Sequence, residues 1–235
     1  MKVLIIVAHP DDEVLGMGGT ILKHSNNGDI VKIVYLATGI TSRRSINFQN
    51  NTSYEQNNKL LKKMDIQIKE LREDVKKSCR ILKVKNWTFY DFPDNEMDNI
   101  PLLKIIKVIE KEIQDVNPDR IYTHHFNDLN VDHRVVFNAV LTACRPIGNS
   151  IKELISFEVP SSTEWNFPTQ FNPNYFIEIK SELPSKLKAI KCFKNEIRKY
   201  PHPRSVENLK NISNRWGAIS GKIAAEAFEI VRKID

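Results

Sequence analysis

A histidine and three carboxylates stand together near the start of the chain, in the segment Ala8-His9-Pro10-Asp11-Asp12-Glu13. An imidazole and a carboxylate three residues apart can face one ion across a short turn, so His9 and Asp12 are candidate metal ligands. Asp11 then stays free beside the ion. The alternative is that Asp11 and Asp12 only cap the following helix, whose free backbone amides favour carboxylates. One aspartate would satisfy a cap, so a further ligand elsewhere decides between the two interpretations.

A second group of polar side chains lies between residues 124 and 133. It reads His124-His125-Phe126-Asn127-Asp128-Leu129-Asn130-Val131-Asp132-His133, with three histidines and two aspartates within ten residues. Such a density of metal-binding side chains is hard to explain by packing alone. We therefore predict His133 as the third ligand of the ion.

The two clusters must be positioned by the elements that precede and follow them. The continuous apolar run Val3–Ala8 is typical of a buried parallel strand, followed by a helix over Glu13–Asn26 and a strand over Ile30–Ala37. Before the second cluster, Arg120–Thr123 is a short strand, and a helix runs from Arg134 to Cys144 after it. In an open α/β sheet, the carboxyl ends of neighbouring strands meet at a switch point. The two clusters should therefore face each other across one crevice.

The rest of the chain continues the alternation of strands and helices. Helices are predicted over Ile68–Leu82, Pro101–Val116, Lys186–Glu196 and Arg215–Lys233, the last as a closing amphipathic helix, and strands over Trp87–Tyr90, Ile151–Phe157 and Phe176–Ile179. The polar stretch Thr38–Asn58 lacks periodicity, which indicates a long loop at the same end of the sheet as the clusters. The pattern predicts the α/β class, with an open, mostly parallel sheet, helices on both faces, and residues 1–235 in a single domain.

Composition narrows the classes of function. The formal charge is +6, but lysines alternate with acids, as in Lys59–Lys85, so solvated helix faces explain the charge better than a nucleic-acid footprint does. A small anionic substrate such as a sugar nucleotide stays compatible with the charge. Cys79, Cys144 and Cys192 are too widely spaced for a disulfide framework or a thiolate metal site. No apolar run is long enough for a membrane span or a signal peptide, so we expect a soluble, cytoplasmic protein.

Two predicted loops in the C-terminal part of the chain contain residues that could bind a substrate. The segment Glu158–Trp165 combines hydroxyl groups with one aromatic ring, which favours a sugar, although this composition is also ordinary for a loop. His202 and Arg204 lie in the loop Tyr200–Ser205, where prolines restrict the backbone, and are candidate substrate contacts.

Taken together, these motifs resemble the PIG-L/LmbE-like family of zinc-dependent N-acetyl (amino sugar) deacetylases. The most specific matches are AHPDDE at Ala8–Glu13 and the Asp132-His133 pair before a helix. Shorter matches cover almost the full length: DFPDN at Asp91–Asn95, PSSTEW at Pro160–Trp165, PHPRS at Pro201–Ser205 and AEAF at Ala225–Phe228. The resemblance implies a Rossmann-like single domain that hydrolyses an N-acyl group, usually an acetyl group on an amino sugar.

Carried over by position, the resemblance implies that His9, Asp12 and His133 bind Zn²⁺ and that Asp11 is the general base. Two imidazoles and one carboxylate leave room on the ion for water and the substrate carbonyl oxygen. Zinc would lower the pKa of that water and polarise the amide. Asp11 would take the water's proton and return it to the departing amine.

One position departs from the family pattern. Many members have a histidine three residues before the last ligand, which helps to hold the tetrahedral oxyanion, whereas this chain has Asn130. An asparagine amide donates a hydrogen bond but carries no positive charge, so its contribution should be weaker. His124, His125 and His202 are further candidates for this role.

The working hypothesis is a zinc-dependent hydrolase that removes an N-acetyl group from an amino sugar, a glycoside or a sugar nucleotide. The resemblance places Arg72 and Asp94 near positions that contact the sugar. The expected partner is this small molecule, without nucleic acid, and a homo-oligomer is compatible with the sequence. The alternatives are a metal-dependent hydrolase of another amide or of a phosphate ester, whose carboxylates would hold a harder ion such as Mg²⁺, and a non-catalytic anion-binding module.

Overall fold

The computed structural model describes residues 1–43, 58–168 and 170–235. The strands are β1 (Lys2–Val7), β2 (Ile30–Ala37), β3 (Asn86–Phe92), β4 (Arg120–His124), β5 (Glu153–Phe157), β6 (Tyr175–Glu178) and β7 (Ala225–Lys233). The helices are α1 (Asp12–Asn26), α2 (Asn58–Ile81), α3 (Leu102–Val116), α4 (Val131–Ala143), α5 (Leu183–Ile190) and α6 (Val206–Ile219).

These strands form one seven-stranded sheet in the order β3-β2-β1-β4-β5-β7-β6. The first five strands are parallel, and β7 runs antiparallel to both of its neighbours. β1 pairs with β2 on one side and β4 on the other, so Ile5 lies between Ile33 and Tyr122. The polar segments that follow β1 and β4 therefore leave the sheet side by side, as predicted.

The central strand β1 is buried on both faces, which explains its unbroken apolar sequence. Val3, Ile5 and Val7 belong to a core that includes residues of α1, α2 and α5. The alternate residues Leu4 and Ile6 belong to a second core that includes residues of α3 and α4. Helices thus cover both faces of the sheet, and the predicted fold class is confirmed.

The predicted C-terminal helix over Arg215–Lys233 is wrong. α6 ends at Ile219, and Gly221, at φ 70°, turns the chain into β7. Phe228 of β7 lies opposite Phe157 and Tyr175 of its two neighbouring strands. The predicted helix joined the end of α6 to a strand. The spacing of apolar residues is a local signal and does not show that a segment pairs with strands far away in the chain.

The boundaries of several other helices also differ from the predicted ones. α2 begins at Asn58 instead of Ile68, and α5 ends at Ile190 instead of Glu196. α4 begins at Val131, three residues earlier than predicted, so its first turn contains part of the second polar cluster. Most of the predicted loop 38–58, residues 44–57, lies outside the described residues. Within the described part of the chain, no helix is long and apolar enough to cross a membrane.

At Gly16, the helix α1 packs so closely against β5 that a side chain would collide with its neighbours. A Cβ atom at Gly16 would lie 2.3 Å from Cδ2 of Phe157 and 2.7 Å from the carbonyl oxygen of Glu158. Because the backbone oxygen cannot move aside without shifting β5, we expect Gly16→Ala to lower the free energy of unfolding by about 1–3 kcal/mol. Denaturant unfolding measures this change. Gly18→Ala is the matched control, since the nearest neighbours of its Cβ would be side-chain atoms at longer distances, Lys186 Cγ at 3.1 Å and Val14 Cγ1 at 3.2 Å. Equal losses in the two variants would contradict the prediction.

Candidate metal centre

Three donor atoms lie together at the carboxyl end of the sheet, from the turn after β1 and from α4. His9 Nδ1 is 3.4 Å from Asp12 Oδ2, and His133 Nε2 is 3.2 Å from the same oxygen and 3.3 Å from His9 Nδ1. Ligands bound at about 2.0–2.1 Å to a tetrahedral zinc ion lie about 3.3 Å apart. All three side chains are buried. The structure thus brings the three predicted ligands together, and their donor set and spacing fit zinc.

Each of the two histidines has a carboxylate behind it. His9 Nε2 is 2.9 Å from Asp132 Oδ2 and 3.0 Å from Asp94 Oδ1, and His133 Nδ1 is 3.2 Å from Asp128 Oδ1. Asp132 accepts a hydrogen bond from the Nε2–H of His9, which leaves the Nδ1 lone pair of His9 for a metal. The negative charge of Asp128 favours a proton on Nδ1 of His133, which leaves its Nε2 lone pair for the same purpose. Neither Asp128 nor Asp132 was predicted in this role, although both stand in the second polar cluster.

His9, Asp94 and Asp132 form another set of three donors close enough to hold an ion. The oxygens of this set are already engaged. Asp132 Oδ2 accepts a hydrogen bond from the Asn95 amide at 2.6 Å, and Asp94 Oδ2 accepts from the amide and hydroxyl of Ser42 at 3.1 and 2.6 Å. By contrast, the buried Asp12 Oδ1 makes no hydrogen bond within the described part of the chain. We therefore assign the second set to orienting His9.

Helix starts position the ligands locally. Asp12 is the first residue of α1, and its Oδ2 accepts a hydrogen bond from the His9 amide at 2.9 Å. His133 lies in the first turn of α4, where Asn130 is the N-cap and its Oδ1 accepts from the Asp132 amide at 2.9 Å. Caps of this kind satisfy the free amides of a helix start. The same hydrogen bonds that start the helices therefore fix the ligand side chains.

Asp11 is held in a strained backbone conformation between the two ligands. Its φ is 111°, in the left-handed region, and its amide donates to Glu13 Oε2 at 3.1 Å. Tyr35 in turn donates to Glu13 Oε1 at 2.8 Å, so a buried pair supports this turn. The carboxylate of Asp11 accepts from Arg204 Nη1 at 3.1 Å. Such strain persists only where the surroundings impose it, and it is typical of functional sites.

Burial and neighbouring charges perturb the ionisable groups here. Burial raises the pKa of Asp11 well above its usual value, although the nearby Arg204 guanidinium opposes this. Burial alone would lower the pKa of His133, but Asp12 and Asp128 raise it to about 9. Burial also favours the neutral form of Asp12, but His133 and His9 hold its pKa well below the usual value. The carboxylates outweigh the cost of burial, so this site favours positive charge.

A cavity of about 130 Å³ opens beside the metal centre. The lining residues include His9, Asp11, Asp94, Asn130 and Arg204. The structure thus places the predicted base and two of the predicted contacts, Asp94 and Asn130, at one opening. Because the Asn130 Oδ1 caps α4, its amide nitrogen is the part that can donate to a bound group.

The oxyanion role considered for His124 conflicts with its position. His124 is fully buried and stacks on His133, with ring centroids 3.9 Å apart. Its Nε2 lies 2.8 Å from the amide of Ala8, which can only donate, so this nitrogen carries no proton. Burial lowers the pKa of His124 to about 3, which keeps the ring neutral. His124 supports the ligand His133 and is not available as a donor to a substrate. His125 likewise turns aside, toward Glu229 Oε2 at 3.2 Å.

The predicted contacts Arg72 and His202 do not line this cavity. Arg72 pairs with Asp91 at the edge of the sheet, and its guanidinium lies 5.0 Å from the ring centroid of Phe89. His202 Nδ1 accepts from the Arg204 amide at 3.1 Å, and its ring meets Trp165 edge-on. His202 therefore lies in the loop that carries Arg204, outside the lining of the cavity.

The chain is similar in sequence to known deacetylases. The sequence profile of PIG-L, described as GlcNAc-PI de-N-acetylase, matches residues 4–144, which include the three candidate ligands. Diacetylchitobiose deacetylase of Thermococcus kodakarensis is 27% identical over 240 residues, covering 98% of this chain and 83% of that protein.

Two solved structures share the fold. N,N'-diacetylchitobiose deacetylase from Pyrococcus horikoshii has a TM-score of 0.73 at 23% identity, over 98% of this chain and 84% of that one. The 4-carboxy-2-hydroxymuconate hydratase of Pseudomonas putida KT2440 also has a TM-score of 0.73, at 18% identity, over 100% of this chain and 97% of that one. The same fold thus accompanies two different activities, so the reaction has to be argued from the site.

Proposed function

Because this chain belongs to the PIG-L (GlcNAc-PI de-N-acetylase) family of deacetylases, we propose that it is a zinc-dependent hydrolase that removes an N-acetyl group from an amino sugar, a glycoside or a sugar nucleotide. The observation that carries the proposal is the buried set of His9, Asp12 and His133, with a carboxylate behind each imidazole and Asp11 beside it. Open sites with two imidazoles and one carboxylate suit a zinc ion that activates water.

The chain's own residues supply proton transfer. When bound, zinc would polarise the amide carbonyl and lower the pKa of a water molecule that it binds. Asp11 Oδ2 is paired with Arg204, which leaves Oδ1 to take the proton of the attacking water. Asp11 then returns this proton to the departing amine, since an unprotonated amine leaves poorly. We propose that the amide nitrogen of Asn130, which lines the cavity, donates to the tetrahedral anion.

The size and position of the cavity suit an acetamido group. Its volume of about 130 Å³ is below the roughly 300–1,000 Å³ of pockets that enclose a whole drug-sized ligand. We therefore propose that the acyl group enters the cavity while the rest of the substrate lies outside. The Thermococcus relative, a diacetylchitobiose deacetylase by name, makes N-acetylglucosamine oligomers the first compounds to test.

The test is a screen for acetate release. Zinc-loaded protein is incubated with N-acetylated monosaccharides, chitooligosaccharides and sugar nucleotides, with and without a chelator, and phosphate esters are included as a separate arm. We expect acetate from at least one acetamido sugar, loss of this activity with chelator, and recovery with added zinc. Phosphate release without acetate would replace the proposal by the phosphohydrolase alternative, and a blank acetate arm with zinc-loaded protein would reject the sugar substrate.

A substitution of Asp128 can be tested by zinc affinity, without an assay of hydrolysis. Asp128→Asn removes the negative charge behind His133 while keeping the size of the side chain, so zinc affinity should fall about 10- to 100-fold. Competition with a chromophoric chelator measures this change. Asp91→Asn is the control, because Asp91 is an exposed partner of Arg72 away from the cavity. Equal zinc affinity of the two variants would show that the carboxylate of Asp128 does not support the ligand.

A further inference from the structure

Arg204 reaches the candidate base from a loop near the other end of the chain. Its Nη1 donates to Asp11 Oδ2 at 3.1 Å, and its Nε donates to Ser161 Oγ at 2.7 Å. Two separate acceptors fix the plane of the guanidinium, because its donors form a rigid fork. Nη1 also lies 3.9 Å from Glu196 Oε2. A guanidinium carries five N–H donors, which is more than these contacts use. Arg204 is therefore anchored and still has donor capacity at the cavity that it lines.

The loop around Arg204 is built to hold this geometry. The Arg204 amide donates to His202 Nδ1 at 3.1 Å, and the Ser205 hydroxyl caps α6 by accepting from the Asn208 amide at 3.1 Å. On the opposite side, Ser161 has a φ of 73°, and its amide donates to Glu164 Oε1 at 2.8 Å. Both partners of the contact are thus ordered before any substrate arrives, which lowers the entropic cost of using them.

Arg204 is a positively charged side chain in a cavity that several carboxylates line. Asp11, Asp94 and Glu196 line the cavity, and Arg204 is the one lysine or arginine among its described lining residues. Asn130 also lines this cavity, and its Oδ1 already accepts the hydrogen bond that caps α4. Negative charge develops on the tetrahedral intermediate of amide hydrolysis, and fixed positive charge stabilises it. An asparagine amide alone cannot provide that charge.

We propose that Arg204 positions the Asp11 carboxylate and supplies the permanent positive charge that Asn130 cannot supply in this chain. This inference rests on the proposed deacetylase function. The ion pair holds one oxygen of Asp11 and leaves the other for the water. The guanidinium charge lies beside the reacting group throughout the reaction, so its benefit is greatest when the tetrahedral anion forms.

Kinetics of three variants test the role. Arg204→Gln should lower kcat by about 10²- to 10³-fold with KM changed by less than about threefold, because the charge acts on the transition state. Arg204→Lys keeps the charge but loses the fork, so it should recover part of this loss. Adding Asn130→His to Arg204→Gln should raise kcat at least tenfold, since it restores a cationic donor. Arg145→Gln, an exposed arginine directly after α4 and outside the cavity lining, is the control and should match the parent.

A binding measurement separates this inference from the choice of substrate. Calorimetry with zinc-loaded protein compares methylphosphonate, a tetrahedral anion, with acetamide, a neutral analogue of the substrate amide. We expect Arg204→Gln to weaken methylphosphonate binding at least tenfold, with acetamide binding, zinc content and melting temperature unchanged. Parent affinity for the anion in Arg204→Gln, or a change in KM alone, would overturn the role of Arg204. A parent protein that releases no acetate yet shows this anion dependence would reject the proposed substrate and keep the role of Arg204.

Discussion

Replacing Asp11 by asparagine should lower the rate of acetate release by about 10²- to 10⁴-fold while the protein keeps its zinc. Asparagine has nearly the same shape, and its side-chain oxygen can still accept the hydrogen bond from Arg204. It cannot, however, take a proton from water or pass one to the amine. Because Asp11 is not one of the three donors of the metal set, the variant should bind zinc as the parent does.

The readouts for Asp11→Asn are kcat on the best substrate of the acetate screen and zinc per chain after gel filtration. Asp91→Asn provides the matched change at an exposed carboxylate and should retain both values. Hydrolysis at the parent rate would remove Asp11 from the mechanism. Loss of zinc together with activity would place Asp11 among the groups that hold the metal.

Replacing His133 by alanine should strongly weaken zinc binding and lower the rate of hydrolysis with it. His133 Nε2 is one of three donors within 3.4 Å of one another, and its removal leaves His9 and Asp12 from a single turn. Losing a direct ligand should cost more than the 10- to 100-fold that follows from losing a carboxylate behind a ligand. We therefore expect zinc affinity to fall by at least about 100-fold, measured by chelator competition.

Two comparisons make the His133→Ala result specific. His202→Gln should keep its zinc, because His202 does not line the cavity and contacts Arg204 and Trp165. Melting temperatures without metal show whether His133→Ala still folds. A folded variant that binds zinc as tightly as the parent would exclude His133 as a ligand and favour the set of His9, Asp94 and Asp132.

The sheet topology determines where the candidate site lies, but it does not determine which reaction takes place there. β1 and β4 are neighbours at the centre of the sheet, so the turns that follow them meet at one edge. A hydratase of similar fold shows that other activities accompany this architecture. The side chains at this edge, the metal donors and Asp11, therefore carry the proposal of hydrolysis, and the two substitutions above test them directly.

Much of this arrangement was accessible from the amino-acid sequence alone. The apolar runs of β1 and β2, the alternation of strands and helices, and the polar clusters after β1 and β4 are local signals. Together with the rule that parallel strands present their carboxyl ends at one edge, they predicted the fold class and the meeting of His9, Asp12 and His133. The C-terminal strand β7 was missed, because its partners β5 and β6 lie elsewhere in the chain.

Only the tertiary structure decided which groups surround the three donors. Asp94 and Asp132 lie behind His9, Asp128 lies behind His133, and Arg204 reaches Asp11 across 193 residues. These contacts depend on loop conformations and on hydrogen bonds between distant segments, which leave no periodic pattern in the sequence. Residue types and spacing along the chain thus determined what chemistry is available, and packing determined which carboxylate orients a ligand and which stays free for a proton.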